Sequence, residues 1–134
     1  AFWDLAANSA AKTDRSQALR AYIRVVTLPN KRPEGETLAM LKNAMKLADG
    51  KDNKQWALTR AAAVRTLATV DWVAGYLDDP ELAQTACKTI VELAHHRFLR
   101  QPNKAHFEPI LRKVEATTKD KSVAGLAEKA RLGM

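Results

Sequence analysis

Apolar residues recur along this chain at the spacing of a helix. Leu38, Leu41, Met45 and Ala48 fall at i, i+3, i+7 and i+10, which places them on one stripe. Ala83, Ala86, Cys87, Ile90, Leu93, Ala94 and Phe98 mark a second stripe, and Phe107, Ile110, Leu111 and Val114 a third. No run of four to eight residues between turn signals shows the alternation of a strand. Turn chemistry separates the stripes. Pro29 to Gly35 holds two prolines and a glycine, and predicts a loop. Gly50 stands where a helix C-terminal cap belongs. Asp79-Pro80 predicts a helix start, with the Asp79 side chain accepting from free backbone N–H groups. Gln101-Pro102-Asn103 ends the next helix, and Pro109 is expected in the first turn of the one after, where its missing N–H costs little. The pattern predicts helices over about 2–11, 14–28, 36–48, 53–69, 71–78, 80–99, 105–117 and 121–132. Short connections make successive helices antiparallel hairpins.

Composition sharpens this to an all-α chain. Twenty-four of 134 residues are alanine, the best helix former and one that lets helices approach closely. No apolar run reaches the roughly 18 residues of a membrane span. A single cysteine, Cys87, rules out a disulfide framework within the chain and reads as a small buried hydrophobe on an apolar helical face. The first residue is Ala1 and no signal-peptide pattern follows, so either an upstream segment was removed or the chain is cut from a longer protein; a single domain over 1–134, a fragment of a longer protein, is expected.

An internal repeat underlies the helices. From Asp79, the offsets 4, 7, 11 and 14 give Ala83, Ala86, Ile90 and Leu93. From Asp14 they give Ala18, Ala21, Val25 and Leu28. From Asn53 they give Ala57, Arg60, Val64 and Leu67, and from Asp120, Ala124, Ala127, Arg131 and Met134. The first position is expected to cap a helix, the next two to allow close packing, and the last two to fill the layer between helices. Arg60 and Arg131 are the departures. Such spacing suits a helical-hairpin solenoid of about four hairpins.

On these residues the chain resembles the HEAT-repeat class of armadillo-like α-solenoids. The clearest piece is Tyr76-Leu77-Asp78-Asp79-Pro80-Glu81-Leu82-Ala83-Gln84-Thr85-Ala86, similar to the Asp-Pro turn and Ala-rich second helix of that class. Ser16 to Val25 is similar to degenerate HEAT segments of large bacterial multidomain proteins, many of them exported. The class commonly carries a helix Arg shortly after the turn; Gln84 stands there in this chain. The resemblance implies an α-α superhelix that serves as a scaffold or protein-interaction module, with a protein partner or a neighbouring domain of the parent chain.

Candidate chemistry is sparse. Gly-x-Ser-x-Gly, a Walker-type loop and His-Glu-x-x-His are absent. His95 and His96 point about 100° apart on a helix and His106 lacks a carboxylate at ligand spacing, so surface or helix-end roles are expected, with no metal and no cofactor. Ser9, Ser16 and Ser122 read as residues near helix ends. The formal charge of +7 admits a nucleic acid, an anionic lipid or an acidic protein as partner. Arg20, Arg24, Arg60 and Lys88 fall on the second helices of successive hairpins, where a solenoid has its concave face, and form the candidate binding surface. Trp3, Trp56 and Trp72 are expected in core or junction packing. Phe2 and Trp3 suggest a terminal layer covered by preceding residues or by a second molecule. The reading is non-catalytic binding. The alternative is a nucleic-acid-binding HEAT-like protein, akin to a DNA glycosylase, with a basic concave face.

Overall fold

The computed structural model describes residues 12–28, 32–48 and 50–133, with side chains from Ser16 onward. Every regular element among them is helical. The expected helix over 2–11, the Phe2–Trp3 surface and Ser9 lie outside the described residues. The chain forms two compact units, one ending at Val64 and the other beginning at Arg65.

The first unit holds α1 (Lys12–Val26), α2 (Glu34–Leu47) and α3 (Lys51–Arg60), the last extended by a 3₁₀ turn over Ala61–Ala63. In α1 the buried stripe is Leu19, Ile23 and Val26, with Ala18 beside it. In α2 it is Leu38, Leu41, Met45 and Ala48, as the periodicity predicts. Glu34 and Glu36 open α2 and Lys46 closes it, each at the end where the helix dipole favours its charge. Gly50 adopts φ +81° at the N-cap of α3, and the C-cap of α2 is Ala48, so the glycine serves the start of one helix instead of the end of the other. Its conformation is one that side chains rarely adopt.

Three rungs join α1 to α3. Asn53 Nδ2 donates to Ser16 Oγ (2.9 Å), Trp56 Nε1 donates to the Arg20 carbonyl (3.2 Å), and Arg60 Nε donates to Thr27 Oγ1 (2.9 Å). Residue numbers climb together on both sides, so the two helices run in the same direction, with α2 returning between them.

The second unit contains α4 (Leu67–Ala74), α5 (Ala83–His95), the short α6 (Arg97–Arg100), a 3₁₀ turn over Gln101–Asn103, α7 (Lys104–Thr117) and α8 (Lys121–Arg131). Here α4 packs on α5, α7 on α8, and α5 against both α7 and α8. Asp71 bonds His106 at 2.7 Å and Asp78 bonds Lys113 at 2.9 Å, each across 35 residues. The segment through α4 therefore runs parallel to α7. Gln84 joins the C-terminal end of α7: its Oε1 accepts from Lys119 N (3.0 Å) and Thr118 Oγ1 (3.3 Å), and its Nε2 donates to the Thr117 carbonyl (3.4 Å). Gln84 thus satisfies polar groups freed where that helix stops.

Several boundaries differ from the periodicity. The expected helix 53–69 breaks at Val64–Thr66, because Thr66 turns extended and caps α4 by accepting from Thr69 N. The expected helix 80–99 begins at Ala83 and stops at His95. Asp79 still takes the capping bond, from Glu81 N at 2.9 Å, one turn ahead of the regular helix. The break at His96 rotates Phe98 off the buried stripe, to 77% exposure. Pro109 lies in the second turn of α7, not the first. The Ala105 carbonyl loses its usual donor there, on an exposed residue that water can reach. The repeat positions fill the core fully at Ala83, Ala86, Ile90 and Leu93, whereas Val25 and Leu28 are 44% and 45% exposed. Of the four expected caps, Asp120 bonds Ser122 N and Val123 N as a true N-cap. Asp14 and Asn53 lie inside their helices.

Candidate functional site

The candidate surface residues separate between the units. Arg20 and Arg24 are exposed on α1, Arg60 is half-buried at the end of α3, and Lys88 is exposed on α5 of the second unit. The structure brings Arg20 and Arg60 together in the first unit, and the residue that joins them is Trp56.

Trp56 follows Asn53 by three residues and precedes Arg60 by four, so all three face α1. Its half-buried indole carries the Arg20 guanidinium 5.1 Å from the ring centroid and the Arg60 guanidinium at 5.8 Å. Both lie within the range over which a ring quadrupole attracts a cation. The indole N–H meanwhile reaches the Arg20 carbonyl, which as an sp² oxygen has a second lone pair beyond the one used in the helix. One side chain of α3 therefore holds both ends of Arg20.

Arg60 is fixed from its other side. Thr27 Oγ1, on a buried residue, accepts from Arg60 Nε and donates to the Ile23 carbonyl at 2.8 Å. Its second contact, to the Arg24 carbonyl, is 3.1 Å. Among the described residues no carboxylate pairs with Arg20, Arg24 or Arg60. The two guanidinium groups thus share one indole without a carboxylate partner among the described residues, and planar forks of this kind bind carboxylate or phosphate oxygens bidentately.

Trp56 is not only junction packing. Its ring also carries the two arginine guanidinium groups. Trp72 meets Tyr76 edge-on at 5.8 Å, and Trp3 lies outside the described residues. Arg60 was visible in the sequence as a break in the repeat, and Trp56 three residues beyond a polar helix start. What joined them was the parallel register of α1 and α3. Arg131, the other repeat departure, forms an ion pair with Glu115 at 2.7 Å, and that hydrogen bond holds its guanidinium charged more firmly than usual.

The histidines take separate positions. His106 bonds Asp71, His95 ends α5 and His96 caps it. Among the described residues no three His, Cys, Asp or Glu side chains gather in a way that could hold a metal ion, and no helix is long and apolar enough to cross a membrane. Cys87 is buried, and burial pushes its thiol up from the ordinary range. Neither a protein-family model, nor a curated protein, nor a solved structure matches this chain.

Proposed function

We propose that the chain is a non-catalytic helical-repeat module of HEAT-like, stacked-hairpin type, and that its first unit grips carboxylates of a protein partner through Arg20 and Arg60. The observation that carries the binding role is the pair of guanidinium groups ordered on one indole without an acidic partner among the described residues. Such a pair meets a carboxylate without first losing its own ion pair or much rotamer freedom.

Support for stacked hairpins comes from the rungs within each unit. They join residues 33, 36 and 37 apart in the first unit and 35 apart in the second. A step near 35 residues falls within the roughly 20–45 residue range of solenoid repeats and below the roughly 40–47 of most HEAT units.

Binding of a nucleic acid is the second reading, favoured by the net charge of +7. Trp56 weighs against it, because guanidinium groups already lie over the ring that a base would stack on. Titration of the protein with a Glu-rich peptide and with duplex DNA at about 50 mM salt separates the two. The proposal expects saturable peptide binding that weakens about tenfold in the Arg20→Gln, Arg60→Gln double variant. Tighter binding to DNA, lost in the same variant, would move the assignment to nucleic acid. Binding to neither would end the proposal.

A further inference from the structure

A cavity of about 510 Å³ opens in the second unit where α8 crosses the C-terminal end of α5. That volume is in the usual range for small-molecule sites, about 300–1,000 Å³. Its walls are of two kinds. Val91 from α5 and Leu126 and Ala130 from α8 supply an apolar side. His95, His96, Arg100 and Lys129 supply a cationic or proton-bearing side, and Glu92 is the one carboxylate.

Arg100 is the unusual member. It is 4% exposed, yet it lines the cavity. Its Nη1 donates to the Ala94 carbonyl at 2.7 Å, which caps the end of α5. That bond occupies one of the five N–H donors of a guanidinium. Its Nε is buried with no hydrogen-bond partner, and among the described residues no carboxylate pairs with it. A helix C-terminus attracts a cation but does not neutralise one. Fixed charge around the cavity is Arg100 and Lys129 against Glu92, two positive and one negative, which leaves one positive charge. A single carboxylate closes that balance; a dianion overshoots it.

We infer that this cavity binds a small amphipathic monocarboxylate, its anionic head among Arg100, Lys129 and the two imidazoles and its apolar body on Val91, Leu126 and Ala130. His96 supplies a reporter. Burial, Arg65 and His95 lower its pKa, against an opposing pull from Glu92. A bound carboxylate adds a second anion and raises that pKa.

Octanoate is the probe, with octanol (the body without the charge) and inorganic phosphate (the charge without the body) as controls. Binding is followed by NMR at the His95 and His96 imidazoles of the full chain. Expected are saturable octanoate shifts, an upward move of the His96 titration, and at least about tenfold weaker binding of each control. Lys129 and Leu126 are exposed, so Lys129→Gln and Leu126→Gln leave the fold intact even if an Arg100 variant does not. Each should weaken octanoate about fivefold, consistent with loss of one partly exposed contact. Absence of a saturable shift, phosphate binding as tightly as octanoate, octanol doing so, or both variants behaving as wild type would overturn the assignment.

Discussion

Trp56 holds Arg20 twice: its indole N–H donates to the Arg20 carbonyl at 3.2 Å, while its ring lies 5.1 Å from the Arg20 guanidinium. The first contact fixes the register of α3 on α1. The second orders the charge that the register delivers. Stability and binding are therefore coupled in one side chain, and variants at Trp56 test both.

Trp56→Leu removes the N–H donor and the ring while keeping apolar bulk. A net hydrogen bond is worth about 1 kcal/mol and a solvent-facing cation–π contact about 0.5–1 kcal/mol. With one such bond and two such contacts on the ring, urea unfolding should show a loss of about 2–3 kcal/mol, with affinity for the acidic peptide falling alongside. Trp56→Phe keeps the ring face and should retain more of the binding than of the register bond.

Thr27→Val keeps the shape of a buried residue and deletes the oxygen that Arg60 Nε donates to. Arg60 is half-buried and regains water, so the expected cost is about 1 kcal/mol and not the larger penalty of a fully orphaned donor. Thr27→Ser restores the oxygen and should recover most of it. Equal stability of the Val and Ser variants in denaturant titrations would show that the Arg60 bond contributes nothing.

Gln84→Ala removes the acceptor for Lys119 N and Thr118 Oγ1 and the donor to the Thr117 carbonyl. Those groups lie at the turn between α7 and α8, so the damage should be local. We expect about 1–2 kcal/mol lost in global unfolding and faster amide exchange at Lys119, with α4 unaffected.

Burial raises the Cys87 thiol above its ordinary 9.0, which makes the native thiol a poor nucleophile. The unfolded chain loses that proton first as pH rises, so folding stability should fall as pH climbs from about the ordinary thiol value toward the raised one. Cys87→Ala should flatten this dependence. Labelling by an aromatic disulfide reagent at pH 8 should be slow in the native protein and rapid in denaturant.

Sequence periodicity located helices wherever a stripe had a single continuous face, as in Leu38 to Ala48 and Ala83 to Ala94, because burial of such a face is decided within a few turns. Asp120 announced its cap for the same local reason. Periodicity failed where a neighbour decided the outcome. Ala61-Ala62-Ala63 favours continued helix, yet Thr66 caps a new one and splits the stretch. Val25 and Leu28 match the repeat pattern but lie outside the buried stripe of α1, since Leu19, Ile23 and Val26 face the core instead.

By itself, then, the sequence determined an all-helical chain, the apolar stripe of most helices and the places where many of them turn, since each depends on residues within a few turns of one another. Only tertiary structure decided which charges meet. Arg20 and Arg60 are forty residues apart, and they share a ring because α1 and α3 run parallel across three hydrogen-bonded rungs. Arg100 gains its place in a cavity wall because the chain breaks at His96 and folds back to cap α5. Spacing along one helix carries no information about a partner supplied by another, so such relationships emerge only from packing.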